Sequence, residues 1–330
     1  MKTILKILGR ILAAILALIV CALLLMLVLP LTETGDRTPV PGSADWMAEL
    51  PDDRLLSEIH IPGTHDSGTQ YVQLAFFSKC QALSIREQLE AGFRYLDIRL
   101  GVDEKDGVFQ LMHGFTKCKT GAFSSQSLWL GDVLADCYDF LDAHPTETVV
   151  FAVKQEHGDQ IVRVFEETLD AHVQDQESRW LVTDTVPTLG EARGKLVLLR
   201  RYEDAANLGE RAGIPFLWAS QNGSSDTKLN AVCEDNGSYS LWVQDRYEFG
   251  AEDKWNAFTA GMDAARDRVP GDVAVHFLST KGTLAYGHPY HFAKILNQRL
   301  MEANLALDGW VIVDFASAPI AERIYSTNLY

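Results

Sequence analysis

The chain has 330 residues, of which 47% are hydrophobic, 22% charged and 10% aromatic. This is an ordinary globular composition, and it excludes disordered, collagenous and low-complexity classes. Basic residues number 29 and acidic residues 45, a net charge of −16 that becomes −19 once Lys2, Lys6 and Arg10, ahead of an apolar run, are set aside. Nonspecific nucleic-acid binding is disfavoured, because a polyanion would meet a repelling surface.

Residues Ile11 to Leu29 contain neither charge nor proline. At 1.5 Å per residue such a helix is about 28 Å long, against a hydrocarbon core of about 30 Å. Residues 1–31 are therefore expected to form a membrane anchor. The rival reading is a secretory signal with Lys2, Lys6 and Arg10 as its basic end, its removal leaving a secreted domain. The length of the run and the lack of a small-x-small triplet at its exit favour the anchor. In either case the basic end stays in the cytoplasm and the bulk of the chain lies outside it. Residues 32–48 read as a linker, since Thr32 to Asp45 is rich in Thr, Pro, Gly and acidic residues without apolar periodicity. Extended, such a tether reaches at most about 50 Å. Residues 49–330 remain for one domain. Cys21 falls in the apolar run, while Cys80, Cys118, Cys137 and Cys233 permit two disulfides in any of three pairings. The absence of a Cys-x-x-Cys pair disfavours structural zinc.

Along that domain the expected strands are Leu56 to Ile61, Arg94 to Arg99, Val108 to Met112, Thr148 to Lys154, Lys195 to Arg200, Ser240 to Gln244, Val273 to Leu278 and Trp310 to Phe315. Helical periodicity falls between them at Ser84 to Ala91, Trp129 to Ala143, Gln160 to His172, Trp255 to Arg266 and His291 to Ala306. Strands such as Val149-Val150-Phe151-Ala152-Val153 are apolar on both faces, as expected of parallel strands covered by helices. Strands and helices in alternation predict an α/β barrel. A doubly wound open sheet is the alternative, and it lacks a Gly-x-Gly-x-x-Gly turn.

In a β/α barrel, chemistry gathers at the carboxyl ends of the strands. Here those ends carry His65, Asp66, Arg99, His113, Lys154, Arg201, Asp245 and Asp314. Two imidazoles with cations and carboxylates, and no nucleophilic Ser elbow or Cys, suit acid-base work on a phosphodiester. One histidine takes the proton of the attacking hydroxyl and the other protonates the leaving alcohol. An arginine matches the nonbridging phosphate oxygens, and a buried carboxylate such as Asp314 fixes a histidine tautomer. His65 lies in the glycine-bracketed loop Pro62-Gly63-Thr64-His65-Asp66-Ser67-Gly68, where glycines let backbone amides approach a ligand. The other histidines, His60, His144, His157, His172, His276, His288 and His291, read as surface or core residues. Asp97 and Arg99, two apart on a strand, share a face, which an internal ion pair also explains.

These residues resemble a known family. Ile59-His60-Ile61-Pro62-Gly63-Thr64-His65-Asp66-Ser67-Gly68-Thr69, followed by Leu96-Asp97-Ile98-Arg99 and Met112-His113-Gly114, is similar to the catalytic X region of bacterial phosphatidylinositol-specific phospholipases C. The likeness continues in order through Pro145 to Val150, Gly190 to Tyr202, Val243 to Tyr247 and Gly309 to Asp314. It implies a distorted or incomplete β/α barrel of TIM type that cleaves phosphatidylinositol into diacylglycerol and a cyclic inositol phosphate. By matching motif, it implies His65 as general base on the inositol 2-hydroxyl, Asp314 as its orienting partner, His113 as general acid assisted by Asp66, and Arg99 on the phosphate. Lys154, Arg201, Asp245 and Tyr247 would hold the ring hydroxyls, with Arg200 a neighbouring competitor for the place of Arg201.

Eukaryotic relatives place calcium where this chain has Arg99, so no metal and no cofactor are expected. The expected partner is an inositol phospholipid at a membrane surface, with Phe76, Phe77 and Leu284 to Tyr286 as candidates for insertion, although Phe76 and Phe77 fit buried barrel packing equally well; the sequence names no partner protein. Two other readings stay open. One is a metal-dependent glycerophosphodiesterase with His65, Asp97 and His113 near a cation. The other is a noncatalytic inositol-lipid binding module.

Overall fold

In the computed structural model, residues 2–102, 108–157, 162–222, 232–283 and 287–329 are described. Helix α1 (Lys2–Thr32) is followed by a short strand β1 (Pro62–Thr64), helices α2 (Ala75–Ser78) and α3 (Ile85–Glu90), and strands β2 (Tyr95–Val102), β3 (Phe109–His113) and β4 (Thr116–Lys117). Then come α4 (Leu130–Ala143), β5 (Val149–His157), α5 (Val162–Gln174), β6 (Trp180–Leu181), α6 (Leu189–Ala192), β7 (Leu196–Arg200) and β8 (Ile214–Pro215). The chain closes with β9 (Val232–Asp235), β10 (Ser240–Gln244), α7 (Ala251–Ala265), β11 (Val273–Phe277), α8 (Pro289–Glu302), β12 (Trp310–Val313) and α9 (Ala318–Tyr325).

The strands form one curled sheet in the order β6-β7-β5-β2-β1-β12-β11-β10-β9. The neighbours from β7 through β10 pair in parallel. This is the expected barrel of TIM type, left incomplete. Among the described residues no ladder joins β8 to β9 or β10. Side chains span that seam instead: Tyr239 Oη donates to Pro215 O at 2.5 Å, and Asn236 accepts from Leu217 N and donates back to Leu217 O at 2.8 and 3.2 Å.

Strand parity decides which residues reach the interior. On β2, Leu96, Ile98 and Leu100 pack outward against α4 and α5, while Tyr95 faces the inner core. Asp97 and Arg99 therefore climb the inner wall above Tyr95. On β5, Val150 and Ala152 lie inside and Val149, Phe151 and Val153 outside, which sends Lys154 and Glu156 inward. On β7, Val197 and Leu199 lie inside and Leu196 and Leu198 outside, so Arg201 continues the inner row and Arg200 does not.

Four expectations need correction. The first strand begins at Pro62, not Leu56, because its position is set by pairing Pro62 with Val311; Leu56–Glu58 is a 3-10 turn. The segment from Val108 returns antiparallel to β2, since the connection between them is too short for a parallel crossover. The glycine at 63 serves packing rather than ligand approach: a Cβ there would lie 2.3 Å from Ile312 Cδ1 and 2.9 Å from Tyr95 Cβ. The linker is not a free leash, because Arg37 pairs with Glu87 and donates to Ala82 O, and Ser43 Oγ donates to Glu90 O at 2.8 Å. The four cysteines of the domain are free thiols, with Cys80, Cys118 and Cys137 buried and Cys233 exposed.

The wall that carries the site is pinned from below. Arg94 is fully buried, pairs with Glu147 at 2.9 Å and donates to the carbonyls of Leu89, Phe93, Ser43 and Ala44. Arg94→Met leaves a buried carboxylate without its cation, a change that typically costs about 3–5 kcal/mol. Urea unfolding in detergent is expected to show a correspondingly lower midpoint; a loss under about 1 kcal/mol would make the pair dispensable.

Candidate active site

A cavity of about 670 Å³ opens at the carboxyl ends of the strands, within the size range of small-molecule sites. His65, Arg99, His113, Lys154, Arg201, Asp245, Tyr247 and Asp314 all line it. Asp66 lies just beneath, only 2% exposed. Arg200 turns away, its Nη1 donating to Tyr202 O at 2.8 Å.

His65 follows β1 and Asp314 follows β12, the next strand over. Their carbonyl ends are tied together by Gln81, whose Nε2 donates to His65 O and Val313 O at 2.8 and 2.9 Å while its Oε1 accepts from Ala316 N at 3.0 Å. His65 Nδ1 lies 2.7 Å from Asp314 Oδ1, so this nitrogen carries the proton. His65 Nε2 is left as an acceptor and takes a hydrogen bond from Arg99 Nη2 at 2.9 Å. His113 closes the other side, with its ring centre 6.4 Å from that of His65 and the two planes 80° apart. His113 Nδ1 donates to Ser78 O at 2.8 Å, which reserves Nε2 for proton exchange.

Arg99 is the hub. It stands 3.1 Å from Asp66, 3.0 Å from Asp97 and 3.1 Å from Glu156. Arg201 reaches Asp97 from the far side at 2.9 Å and lies 4.0 Å above the Trp218 ring. Trp218 Nε1 donates to Asp245 Oδ2 at 3.2 Å, and Lys154 pairs with Glu156 at 2.6 Å. Tyr247 Oη bonds Ser220 Oγ at 2.9 Å. Glu156, Trp218 and Ser78 join this network without having been marked by the sequence. Glu156 could have been, since it is two residues beyond Lys154 on the same face of a strand.

Two backbone positions flanking this network are left-handed without being glycine, Asp66 at φ 45° and Phe315 at φ 51°. Such residues carry local strain and cluster at functional sites. At Asp66 the turn is held by its own N–H donating to Asp97 Oδ2 at 3.1 Å.

The charges divide sharply. Burial alone would raise Asp97, but Arg99 and Arg201 outweigh it and hold the carboxyl far below the usual carboxylate range. Glu156 behaves the same way under Arg99 and Lys154. Asp66 goes the other way: burial raises it more than Arg99, His113 and His65 lower it, and neither of its oxygens receives an aligned hydrogen bond. Burial would lower His65, yet the charges of Asp314 and Asp66 prevail and its pKa is raised.

A metal does not fit between His65, Asp66 and Asp97. Ligand atoms of His65, Asp66 and Asp97 lie within 4.8 Å of one another, but the Arg99 guanidinium stands between the two carboxylates and already compensates them. Three other histidines sit away from the cavity: His60 on Thr327, His144 on Asp45, and His276 wholly buried. Phe76 is stacked on His288 with ring centres 4.2 Å apart, and Phe77 lines the cavity. Leu284 to Tyr286 lie outside the described residues. Two apolar side chains lining the mouth are well exposed, Leu74 at 59% and Phe115 at 61%.

Residues 56–202 match the model of the phosphatidylinositol-specific phospholipase C X domain. The chain is 31% identical over 291 residues to the 1-phosphatidylinositol phosphodiesterase of Staphylococcus aureus strain Newman, covering 82% of this chain and 88% of that protein. A solved structure of a variant of the S. aureus phosphatidylinositol-specific phospholipase C superposes with a TM-score of 0.70 at 26% identity, over 86% of this chain and 98% of that one. The Listeria monocytogenes enzyme shares the fold, with a TM-score of 0.65 at 20% identity over 87% and 99% of the two chains.

Proposed function

The chain belongs to the phosphatidylinositol-specific phospholipase C family, and from that membership and its paired histidines we propose that it cleaves phosphatidylinositol to diacylglycerol and a cyclic inositol phosphate. The observation that carries the reading is the His65–His113 pair, 6.4 Å apart across the cavity with Arg99 beside His65.

His65 Nε2 removes the proton of the inositol 2-hydroxyl, and that oxygen attacks phosphorus. The bond from phosphorus to the glycerol oxygen breaks as His113 Nε2 gives that oxygen its proton. Each transfer is typically worth about 10²- to 10⁴-fold. Attack from the neighbouring carbon of the same ring is intramolecular, which accounts for a cyclic product and for rates equivalent to about 10⁵–10⁸ M of external nucleophile. Arg99 carries the growing negative charge on the nonbridging oxygens, so no bound metal is needed. Asp314 holds the proton on His65 Nδ1 and stabilises the imidazolium; Asp66 supports His113. Lys154, Arg201, Asp245 and Tyr247 bind the ring hydroxyls, with Trp218 orienting Arg201 and Asp245. Helix α1 anchors the domain to the membrane that holds its substrate, on the extracytoplasmic side.

The test is the phosphorus spectrum of the product formed with and without a chelator. A cyclic ester, formed equally in both, is expected. An open monoester as first product, or loss of turnover restored by calcium, would overturn the reading in favour of a metal-dependent diesterase. Binding without turnover would leave only a lipid-binding module.

The raised pKa of His65 sets the pH profile. The base works when neutral, so kcat/KM rises as pH passes that raised value, above the ordinary 6.5 of a histidine. Asp314→Asn removes a carboxylate that raises it. The acidic limb is then expected to move to lower pH while the plateau falls; an unmoved limb would separate Asp314 from His65.

A further inference from the structure

Residues 4–29 of α1 are exposed along their whole length, and burial begins abruptly at Pro30 and returns at Glu33. The helix ends with orphan carbonyls and no basic residue in its last turn. Lys79, from the segment just after α2, supplies the missing donor: its Nζ lies 2.7 Å from both Pro30 O and Glu33 O. A lysine at this end also suits the negative pole of the helix dipole. The side chain is only 8% exposed, so it is committed to this contact. A second contact lies beside it. Glu33 Oε1 pairs with His288 Nε2 at 2.7 Å, and His288 Nδ1 donates to Phe76 O at 2.6 Å. His288 stands at the position just before the first turn of α8, which begins at Pro289.

Both contacts are one residue away from the cavity wall. Ser78 and Cys80, flanking Lys79, line the cavity, as do Gly287 and Pro289, flanking His288. The Ser78 carbonyl is the one that holds His113. The end of the apolar helix and the acid histidine are thus joined through two consecutive residues. A leash of fourteen residues would leave the mouth free to face anywhere, and a surface this acidic gains nothing from anionic lipid.

We propose that Lys79 and the Glu33–His288 pair clamp the exit of α1 to the rim of the cavity, holding the mouth against the leaflet from which the helix emerges, so that the enzyme draws its lipid from its own bilayer. This rests on the phospholipase reading of the cavity and on α1 as an anchor. Its partner surface is a lipid bilayer, and the exposed Leu74 and Phe115 at the mouth suit that surface.

The full chain is reconstituted in phosphatidylcholine vesicles holding labelled phosphatidylinositol and mixed with protein-free vesicles holding a second label. Lipid in the enzyme's own vesicles is expected to be consumed at least about tenfold faster than lipid in the others. Glu33→Gln and Lys79→Met, each made in the full chain, should lower that same-vesicle turnover about tenfold, the shift expected when a charge-assisted hydrogen bond is lost. Turnover of a short-chain, monomeric phosphatidylinositol should stay within about twofold of the unaltered chain, which reports an intact fold and site. Equal consumption of both vesicle populations, or unchanged same-vesicle turnover in both variants, overturns the clamp. Release of the unaltered chain from vesicles by alkaline wash removes the anchor on which it stands. A chain inactive even on the monomeric substrate defeats the phospholipase reading itself, and the clamp falls with it.

Discussion

His65→Ala is expected to lower turnover of phosphatidylinositol by about 10⁴-fold, the upper end of what one positioned proton transfer contributes. The 2-hydroxyl then loses its positioned base, because Arg99 and the other cations are donors only and the carboxylates of Asp66 and Asp314 stand behind the place the imidazole held. His113→Ala is expected to fall by a similar factor on the natural substrate, for a different reason: the diacylglycerol oxygen leaves as a poor, unprotonated alkoxide. A substrate whose leaving group needs no proton tells the two apart. With an acidic phenol in place of diacylglycerol, His113→Ala should recover most of its lost rate and His65→Ala should recover none. The double variant should be hardly slower than either single one, since residues that act in one concerted step do not contribute additively. Recovery of both variants, or of neither, would refute the division of labour. Unchanged melting temperatures would assign the losses to chemistry rather than folding.

That division was readable from local sequence only where one loop carries its own signal. His65 sits in a short run bounded by glycines, and Asp97 and Arg99 alternate on an evident strand. The choice between Arg200 and Arg201 was not readable, because the strand before them is apolar on both faces and so gives no sign of which parity looks inward. Only the packing of Val197 and Leu199 against the inner core resolves it. Trp218 was invisible for another reason. It follows β8, two residues long, too short to show any period, and its role exists only through Arg201 and Asp245, which arrive from other strands. The antiparallel return of β3 was overlooked although chain length alone demanded it.

The clamp shows a third limit. Thr, Pro, Gly and acidic residues between α1 and the domain are what a flexible tether contains, and composition cannot distinguish a tether from a segment laid along a surface. The contacts that pin it join Glu33 to His288 and Arg37 to Glu87, far apart in sequence. The same separation hides the stack of Phe76 on His288, which comes from the opposite end of the domain.

Arg99→Lys is the second change with a large expected effect, a fall in kcat of about 10²- to 10³-fold, the usual cost of losing a donor preorganised for transition-state charge. Lysine keeps the charge, so long-range attraction for the phosphate survives and KM should change much less than kcat. What it loses is geometry. A guanidinium presents several donors in a rigid fork, whereas an ammonium is a compact point charge on a flexible stem. Arg99 uses that fork to face Asp66, Asp97, Glu156 and His65 at once. A single ammonium cannot meet all four directions, so it will settle on the carboxylates and abandon the phosphate. Asp97 keeps Arg201, but Asp66 must share one ammonium with Glu156 where it had a guanidinium edge, and its already raised pKa should rise further. The structural cost should stay near 1–3 kcal/mol, about that of weakening buried charge-assisted hydrogen bonds, and is separable by unfolding in parallel with the kinetics. A rate loss confined to KM would mean that Arg99 binds the ground state and the transition state equally, and that charge on the phosphorus oxygens is stabilised elsewhere in the cavity.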